Sequence, residues 1–375
     1  RRGRQLDAAA SCRHCRRRVT AQKSSRTTRY IGSLFPKEAT GVTEGCHLLA
    51  AVPSLGNGVS VPITATEIPA LLETLRVEHT CAAEPDMLID WMGVRTRIPM
   101  LPWAPSDLAG TVSTALPIPD DGYRSEDVEY AALARALHGV SDHPVRVVEV
   151  GAGWAPWAVA AMVQARQRGL PGIAVAVEAD PRKCRWAVQH AEDNSIPVSM
   201  VSGKPRQLVK RLREALEHSS AAGQHLVVVQ AAAWVETGTV EFPEAPVDDM
   251  GTAVWTLPGT DVDYRGAHLA HQKIPAIAIA DLLESICSTG TDAAPVDLLH
   301  IDVQGVEFEL LQATAGAVQE HTRLMAVGTH NRWSEGQLQY FFLERGWGLL
   351  IDSPCTAHFT MTHPTLSGFT EQDGM

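Results

Sequence analysis

The 375-residue sequence predicts an α/β fold built on a doubly wound, mostly parallel sheet. Two apolar runs, Val145–Val150 and Ile173–Glu178, are typical of buried strands, and helical patterns over residues 156–168 and 181–194 follow them. Strands that alternate with helices form parallel sheets with helices on both faces, and right-handed crossovers bring the carboxyl ends of the strands to one edge. We therefore expect the functional residues at that edge.

Two glycines close the first strand in the run Gly151-Ala152-Gly153. Glycine tolerates a positive φ and lets a ligand approach the backbone, and Pro156 fits the first turn of the following helix. The amides that open this helix could receive an anionic or polar group of a ligand. The residues that we expect to bind a cofactor at this turn are Glu149, Gly151, Ala152, Gly153 and Trp154.

Glu178 ends the second strand, where its carboxylate could accept hydrogen bonds from both hydroxyls of an adenosine ribose. A dinucleotide-binding turn has glycine or alanine at its sixth position, whereas this chain has Pro156. The pattern favours a cofactor with adenosine but no pyrophosphate, which is S-adenosylmethionine; an NAD-linked oxidoreductase is the less favoured alternative. Ala179 and, beyond a third buried strand over residues 226–229, Ala232 complete the expected adenosine site.

A fourth apolar strand ends at Asp302, beside the first strand if the strand order reverses there. A further strand, Leu324–His330, ends in a histidine, so Asp302, Glu307 and His330 should meet at the carboxyl edge. We expect His330 to be the general base, because its reference pKa is closest to neutral pH; a histidine that is only held by a neighbour at a strand end is the alternative. Asp302 would orient cofactor or substrate, or act as base instead. Glu307 is also explained by the dipole of the helix that it opens. No metal is expected, because two candidate ligands are too few.

The other elements extend this alternation of strands and helices. They are a helix from Ser125 to Leu137, an amphipathic helix over residues 204–218 that looks like an insertion, a hairpin over 235–242 around Thr237-Gly238, a last helix over 334–344 and a final strand over 347–351. Residues 243–273 predict a functional or mobile loop. No seventh strand is evident, so residues 352–375 are expected to be a C-terminal tail or an incomplete final hairpin.

The first 124 residues form a separate part of the prediction. Residues 1–30 hold ten Lys or Arg and one acid, which predicts a basic disordered tail. Residues 31–124 are expected to be an N-terminal extension that forms a lid, because proline with large apolar side chains between Pro85 and Tyr123 is typical of an ordered loop. Within it Arg95 and Arg97 could bind a polar substrate; two solvent-facing arginines are the alternative.

Composition limits the partners. The formal net charge of -11 argues against a nucleic-acid-binding surface over the chain as a whole. No apolar run approaches the roughly 20 residues that span a bilayer. Seven cysteines without regular spacing suit reduced thiols, and Cys12 and Cys15 lack the second ligand pair of a zinc site. We expect a cytoplasmic protein with no membrane or nucleic-acid partner, and its oligomeric state stays open.

At these residues the chain resembles the FkbM-type family of S-adenosylmethionine-dependent O-methyltransferases, over roughly 145–351. The matching runs are Glu149-Val150-Gly151-Ala152-Gly153, Glu178-Ala179-Asp180-Pro181 and His300-Ile301-Asp302-Val303-Gln304-Gly305-Val306-Glu307, with a weaker echo at Met92-Gly93-Val94-Arg95-Thr96-Arg97. His300 and Gln304 depart from the lysine and glutamate of the family pattern.

The resemblance implies a class I, Rossmann-like methyltransferase domain over residues 125–351. It also implies S-adenosylmethionine as cofactor and a small-molecule hydroxylated acceptor, such as a sugar, a polyketide or another secondary metabolite. A non-catalytic cofactor-binding protein that retains the fold is the alternative, which Gln304 and the missing seventh strand favour.

Overall fold

An eight-stranded sheet organises the part of the chain that the structure, a computed structural model, describes. The described residues are 47–53, 62–79, 82–219, 223–256, 259–262, 268–288, 294–330 and 332–354. The predicted basic tail over residues 1–30 and most of the predicted C-terminal tail, as well as Cys12 and Cys15, lie outside these ranges.

The strands and helices follow in chain order. The strands are β1 (His47–Pro53), β2 (Met87–Ile89), β3 (Arg95–Arg97), β4 (Thr111–Val112), β5 (Val145–Val150), β6 (Gly172–Glu178), β7 (Val198–Val201), β8 (Gln224–Gln230), β9 (Ala232–Trp234), β10 (Gly238–Pro243), β11 (His271–Ala278), β12 (Leu298–Ile301), β13 (Met325–Thr329) and β14 (Trp347–Asp352). The helices are α1 (Ile68–Glu73), α2 (Asp127–Leu137), α3 (Pro156–Gln167), α4 (Pro181–Asp193), α5 (Pro205–His218), α6 (Ile279–Cys287), α7 (Glu307–His321) and α8 (Arg332–Leu343).

The large sheet has the strand order β14-β1-β13-β12-β5-β6-β8-β7. All neighbouring strands in it are parallel except β1, which is antiparallel to both of its neighbours. From β5 the chain first builds β6, β8 and β7 on one side and later β12 and β13 on the other. The order therefore reverses between β5 and β12, which is where open α/β sheets bind their ligands.

Apolar side chains fill both faces of this sheet. All six residues of β5 and all four of β12 are buried, as expected for central parallel strands. Helices α1 to α4 cover one face and helices α5 to α8 cover the other, each with its own cluster of buried aliphatic residues. The doubly wound, mostly parallel α/β fold expected from the sequence is confirmed.

The antiparallel position in the sheet is filled from the N-terminal side of the chain. Strand β1 lies between β13 and β14, with Leu49 opposite both Val327 and Asp352. Leu49, Ala50 and Ala51 are buried there. No seventh strand was evident from the sequence, and a segment that the sequence left unassigned supplies the antiparallel strand.

Two expectations for the second half of the chain are wrong. The predicted hairpin over residues 235–242 does not form, because β9 and β10 both pair with β11, about 30 residues further along, and Thr237 Oγ1 accepts from the Ala278 amide, 3.0 Å away. Helix α5 is not an insertion either. It connects strand β7, which the sequence pattern missed, to the neighbouring strand β8.

The N-terminal extension carries a small three-stranded sheet in the order β3-β2-β4. Side chains from this sheet and the following loop, including Leu88, Ile98 and Leu101, form a separate apolar cluster with Tyr123 and Trp154. The extension thus packs against the turn that follows β5. Among the described residues, no helix has the length and apolar character needed to cross a membrane.

Candidate functional site

The backbone at the end of β5 touches the backbone at the end of β12. The Asp302 amide donates to the Val150 carbonyl oxygen, 2.9 Å away. Gly151 follows with a φ of +76°, and a Cβ placed on it would lie 1.7 Å from the Asp302 carbonyl oxygen. Only glycine fits this position. The glycine turn and Asp302 therefore share the crevice at the reversal of strand order.

The turn after β5 is held to the end of β6 by its amides. The Gly151 and Ala152 amides donate to the Val177 carbonyl oxygen at 3.0 and 2.9 Å. The Gly153 amide donates to Glu178 Oε2 at 2.8 Å. The Gly153 amide therefore positions the Glu178 carboxylate, and the Ala152 amide holds the main chain of β6. Neither Ala152 nor Gly153 is among the residues that line the cleft described below.

Glu149 caps the helix that follows the turn. Its carboxylate accepts from the amides of Ala158 at 2.6 Å and Trp157 at 3.3 Å, which are in the first turn of α3. Burial raises the pKa of Glu149 to about 7. The expectation that these amides receive an anionic ligand group is wrong, because this buried side chain already occupies them. Glu149 therefore supports the turn and does not reach the cleft.

Glu178 presents a buried carboxylate at the end of β6. Its Oε1 accepts from the Asp180 amide at 2.6 Å, and its Oε2 accepts from Gly153. Burial raises the pKa of Glu178, and the nearby Lys183 ammonium opposes that shift. A carboxylate can accept about four hydrogen bonds, so these two leave acceptor capacity for the hydroxyls of a ligand.

A cleft of about 510 Å³ opens at this edge of the sheet. Five of the residues expected to bind a cofactor line it: Gly151, Glu178, Ala179, Ala232 and Asp302. The other lining residues are Val177, Lys183, Ala231, Ala233, Phe242, Met250, Thr252, Ala253, Val254, Val303, Gln304 and Val306. Small alanines and apolar side chains form much of the wall, and Glu178 and Asp302 are its carboxylates.

A second cleft, of about 360 Å³, lies between α8 and strands β1, β13 and β14. Apolar side chains line it together with Gln339, so it offers no ionisable group to a ribose or to a reacting hydroxyl. The cleft at the β5 and β12 ends is therefore the candidate site.

Trp154 does not line the candidate cleft. Its indole packs within the N-terminal extension, 4.6 Å from the His190 ring and 6.4 Å from the Tyr123 ring by centroids. The guanidinium of the fully buried Arg124 lies 5.7 Å from the same indole and forms a 2.7 Å ion pair with Asp90. Trp154 thus joins the extension to the turn and is a packing residue in this structure.

Asp302, His330 and Glu307 form a continuous line of hydrogen bonds. His330 Nε2 lies 3.2 Å from Asp302 Oδ1, and His330 Nδ1 lies 2.7 Å from Glu307 Oε1. The side chains of His330 and Glu307 are buried, whereas that of Asp302 is 27% exposed. The sequence predicted that these three residues lie at the carboxyl edge of the sheet, and the structure places them there in contact through His330.

The protonation of His330 differs from the expectation. Burial alone lowers the pKa of an imidazole, but the carboxylates of Glu307 and Asp302 outweigh burial and raise the pKa of His330 to about 10. The ring is therefore a charged donor at neutral pH, with both nitrogens facing carboxylates. This state does not suit a general base, and Asp302 is the more exposed member of the line.

The loop between β12 and α7 orients both carboxylates. Gln304 and Gly305 adopt positive φ values of +62° and +95°. The Gln304 side-chain amide donates to Asp302 Oδ1 at 3.3 Å, and the Gly305 backbone amide donates to Glu307 Oε1 at 2.8 Å. At position 304 the glutamine therefore supplies a donor to Asp302, where the glutamate of the family pattern would bring a second negative charge.

A second buried ion pair lies beneath this loop. His300 Nε2 lies 2.9 Å from Glu129 Oε1, which joins β12 to α2. Burial lowers the pKa of His300, but the Glu129, Glu149 and Asp302 carboxylates outweigh it, and the net shift is upward. No sequence pattern pointed to Glu129, because it lies 171 residues from His300 along the chain.

Arg95 and Arg97 do not face the cleft, which corrects the expectation that they bind substrate. Arg97 donates two hydrogen bonds to Asp193, at 2.7 and 3.1 Å, and Arg95 pairs with Glu84. The Arg95 amide also donates to Asn194 Oδ1 at 2.9 Å. These contacts hold β3 against the C-terminal end of α4, whereas Glu178 lies at its N-terminal end.

Sequence reasoning missed several residues of the cleft, notably Lys183, Phe242 and Met250. Residues 243–273 were expected to be a functional loop, but no motif marked the particular side chains that reach the cleft. Within the described ranges, no group of three or more His, Cys, Asp or Glu side chains has the arrangement of a metal site.

Comparison with known proteins gives one relevant similarity. The chain is 25% identical over 283 residues to a protein of Jannaschia sp. (strain CCS1) named "Putative methyltransferase", and the aligned part covers 74% of this chain and 88% of that protein. No protein-family model matches the chain. No solved structure matches it either.

Proposed function

We propose that this protein is an S-adenosylmethionine-dependent O-methyltransferase of the FkbM type. The observation that carries the proposal is the cleft in which Gly151, Glu178 and Asp302 meet at the reversal of strand order. The similarity to a protein named as a methyltransferase supports the same reading. The acceptor that we propose is a hydroxyl of a sugar, a polyketide or another small secondary metabolite.

The cleft has features that suit the adenosine part of this cofactor. Glu178 keeps acceptor capacity and lies beside Gly151, so a ribose could bind both the carboxylate and the exposed backbone. Ala231 to Ala233 are small, and Phe242 and Val254 provide apolar surface for an adenine ring. When bound, S-adenosylmethionine would supply an electrophilic methyl group on its sulfonium.

The capped helix argues against a dinucleotide cofactor. A bound pyrophosphate takes its hydrogen bonds from the amides that open the helix after the first strand. In this chain Glu149 already accepts from the Trp157 and Ala158 amides, so these amides are not available to a phosphate. The alternative of an NAD-linked oxidoreductase therefore lacks the pyrophosphate contact that it requires.

Asp302 is the residue that we propose to accept the proton of the acceptor hydroxyl. It lines the cleft, its side chain is the exposed one of the three, and the charged His330 and Gln304 amide hold Oδ1. His330 and Glu307 are then positioning residues, because they fix the orientation of Asp302 from behind. Methyl transfer depends on an in-line arrangement, so such positioning contributes much of the rate.

We further propose that the N-terminal extension acts as a lid over the acceptor. Its apolar cluster with Tyr123 and Trp154 packs on the glycine turn, which supports a place for it near the methyl group. The proposed domain boundaries are an extension over 31–124 and a methyltransferase domain over 125–351.

Calorimetric titration with S-adenosylhomocysteine tests the cofactor. We expect micromolar binding by the wild-type protein and, in Glu178→Ala, weakening by about 1.5 to 3 kcal/mol, because a hydrogen bond to a charged group is lost. Glu192→Ala removes an exposed glutamate of α4 and serves as the matched control, with unchanged affinity expected. No binding by the wild-type protein would overturn the proposal, and binding of NADH instead would favour the oxidoreductase.

Release of S-adenosylhomocysteine in the presence of hydroxylated acceptors tests the reaction. An active acceptor should lose most of its turnover in Asp302→Asn, while cofactor affinity changes little. Cofactor binding without turnover on any hydroxylated acceptor would instead support a non-catalytic protein that retains the fold.

A further inference from the structure

Residues 244–256, which we name the strap, cross the cleft between β10 and β11. Met250, Thr252, Ala253 and Val254 of the strap line the cleft. A Cβ placed on Gly153, which does not itself line the cleft, would lie 2.9 Å from Met250 Cε, so the strap packs directly against the glycine turn. A ligand in the cleft is therefore enclosed between the strap and the sheet edge.

The two ends of the strap are fixed to the small sheet formed by β9, β10 and β11. The Glu244 amide donates to the Ala270 carbonyl oxygen at 2.6 Å, and the Trp255 amide donates to the Glu241 carbonyl oxygen at 2.8 Å. The Trp255 ring also stacks on His271 with centroids 4.9 Å apart. These contacts leave the middle of the strap, over the cleft, to be held from the other side.

Two cations in the first turn of α4 hold the strap from that side, at Ala245 beside its fixed first residue and at Asp249 in its middle. Arg182 Nη2 donates to the Ala245 carbonyl oxygen at 2.7 Å, and Lys183 Nζ donates to the Asp249 carbonyl oxygen at 2.6 Å. Lys183 is buried and also lies close enough to Glu178 to stabilise its carboxylate. The same helical turn thus contacts both the strap and the residue proposed to bind the ribose.

We propose that Arg182 and Lys183 are positioning residues that fasten the strap over the cofactor cleft and so set the rate at which cofactor leaves. The inference rests on the proposed cofactor but names residues that neither the sequence pattern nor the similarity assigns. Opening the strap breaks both hydrogen bonds to main-chain carbonyls. Removing either donor should increase opening and speed dissociation, with less effect on association.

Hydrogen exchange of peptides from the strap tests the fastening without any ligand. Arg182→Met is the main variant, because the Arg182 side chain is 42% exposed, and its ion-pair partner Asp180 keeps the 2.7 Å hydrogen bond from the backbone amide of residue 182. Arg185→Met is the matched control, since Arg185 lies on the same helix and donates within it, to the Pro181 carbonyl oxygen at 3.0 Å. We expect faster exchange of residues 244–256 in Arg182→Met and unchanged exchange in the control. Equal exchange in both variants would overturn the inference, whatever ligand the cleft binds.

Stopped-flow dissociation of S-adenosylhomocysteine tests the consequence. S-adenosylhomocysteine should dissociate from Arg182→Met about fivefold faster than from the wild-type protein. The expected factor is modest because the charged donor that is removed is partly exposed to solvent. The ligand should leave Lys183→Met at least as fast. That variant also removes the cation beside Glu178, so Arg182→Met is the variant that tests the fastening of the strap by itself. Binding with wild-type dissociation rates in Arg182→Met overturns the strap, whereas failure of the wild-type protein to bind overturns the proposed function.

Discussion

Replacement of Gly151 by alanine tests the close approach on which the site depends. A Cβ at this position would lie 1.7 Å from the Asp302 carbonyl oxygen, well inside the distance that any real contact reaches. The obstacle is main chain, so no side-chain rotation can relieve it. The ends of β5 and β12 must move apart, and Asp302 must move with them.

The magnitude can be worked from a matched glycine. Gly139 has a φ of +77° and nothing within 4 Å of an added Cβ, whereas Gly151 has a φ of +76° and the backbone contact. Gly139→Ala should cost about 1 to 2 kcal/mol of unfolding free energy, from the positive φ alone. Gly151→Ala should cost about 2 to 5 kcal/mol, because overpacking adds roughly 1 to 3 kcal/mol.

Urea denaturation followed by circular dichroism measures both variants, and calorimetry with S-adenosylhomocysteine measures the site. We expect Gly139→Ala to bind like wild type and Gly151→Ala, where folded, to bind at least tenfold more weakly, by roughly the 1.4 kcal/mol of a tenfold change. If the two variants were equally stable and bound equally well, the Gly151 and Asp302 backbones could not be in contact.

The remaining predictions concern charged residues. NMR titration should show that His330 stays protonated at pH 8. Because its folded pKa of about 10 exceeds the usual 6.5, the protonated ring stabilises the folded protein fully below pH 6.5, and this stabilisation is lost as pH rises through 10. His330→Gln should abolish that loss of stability. Glu149 has a folded pKa of about 7, so its contribution to folding stability is full below about pH 4.5 and is lost by pH 7. The unfolding free energy should therefore fall by at most about 3 kcal/mol over this range. Urea titrations of Glu149→Gln should no longer show this decrease. Arg97→Ala should cost about 1 kcal/mol of stability and leave S-adenosylhomocysteine affinity unchanged; weakened binding would restore a ligand role for Arg97.

The sequence was sufficient for the central strands and for the residues at their ends. The run from Val145 to Val150 and its partner ending at Glu178 are local patterns, and parallel crossovers have one hand, so the carboxyl edge follows from them. The same logic brought Asp302 and His330 to that edge. This argument requires only that each strand ends at the last residue of its apolar run.

Pairing over long distances could not be obtained in that way. Strand β1 lies between β13 and β14 because its residues complete a sheet built about 280 residues later, and nothing local marks it. The hairpin around Thr237-Gly238 failed for the same reason, since a suitable turn does not exclude a better partner in β11. Contacts such as Arg97 with Asp193 likewise depend on packing that a linear pattern does not show.

The protonation of His330 shows why residue type alone did not identify the base. A reference pKa near neutral favours histidine as a base only if its environment is neutral, but Glu307 and Asp302 surround this ring with negative charge. The two carboxylates convert the histidine into a cation that holds Asp302. We therefore propose the carboxylate that the histidine orients as the base.

The two departures from the pattern of the family that the chain resembles keep this arrangement intact. His300 takes the place of a lysine, and its pairing with buried Glu129 raises its pKa, which favours the cation that a lysine would supply. Gln304 takes the place of a glutamate and donates to Asp302, so it adds a hydrogen bond and removes a like charge next to the proposed base. A neutral residue at 304 thus does not by itself imply lost activity. The argument for a non-catalytic protein must instead come from a failure to turn over acceptors when cofactor is bound.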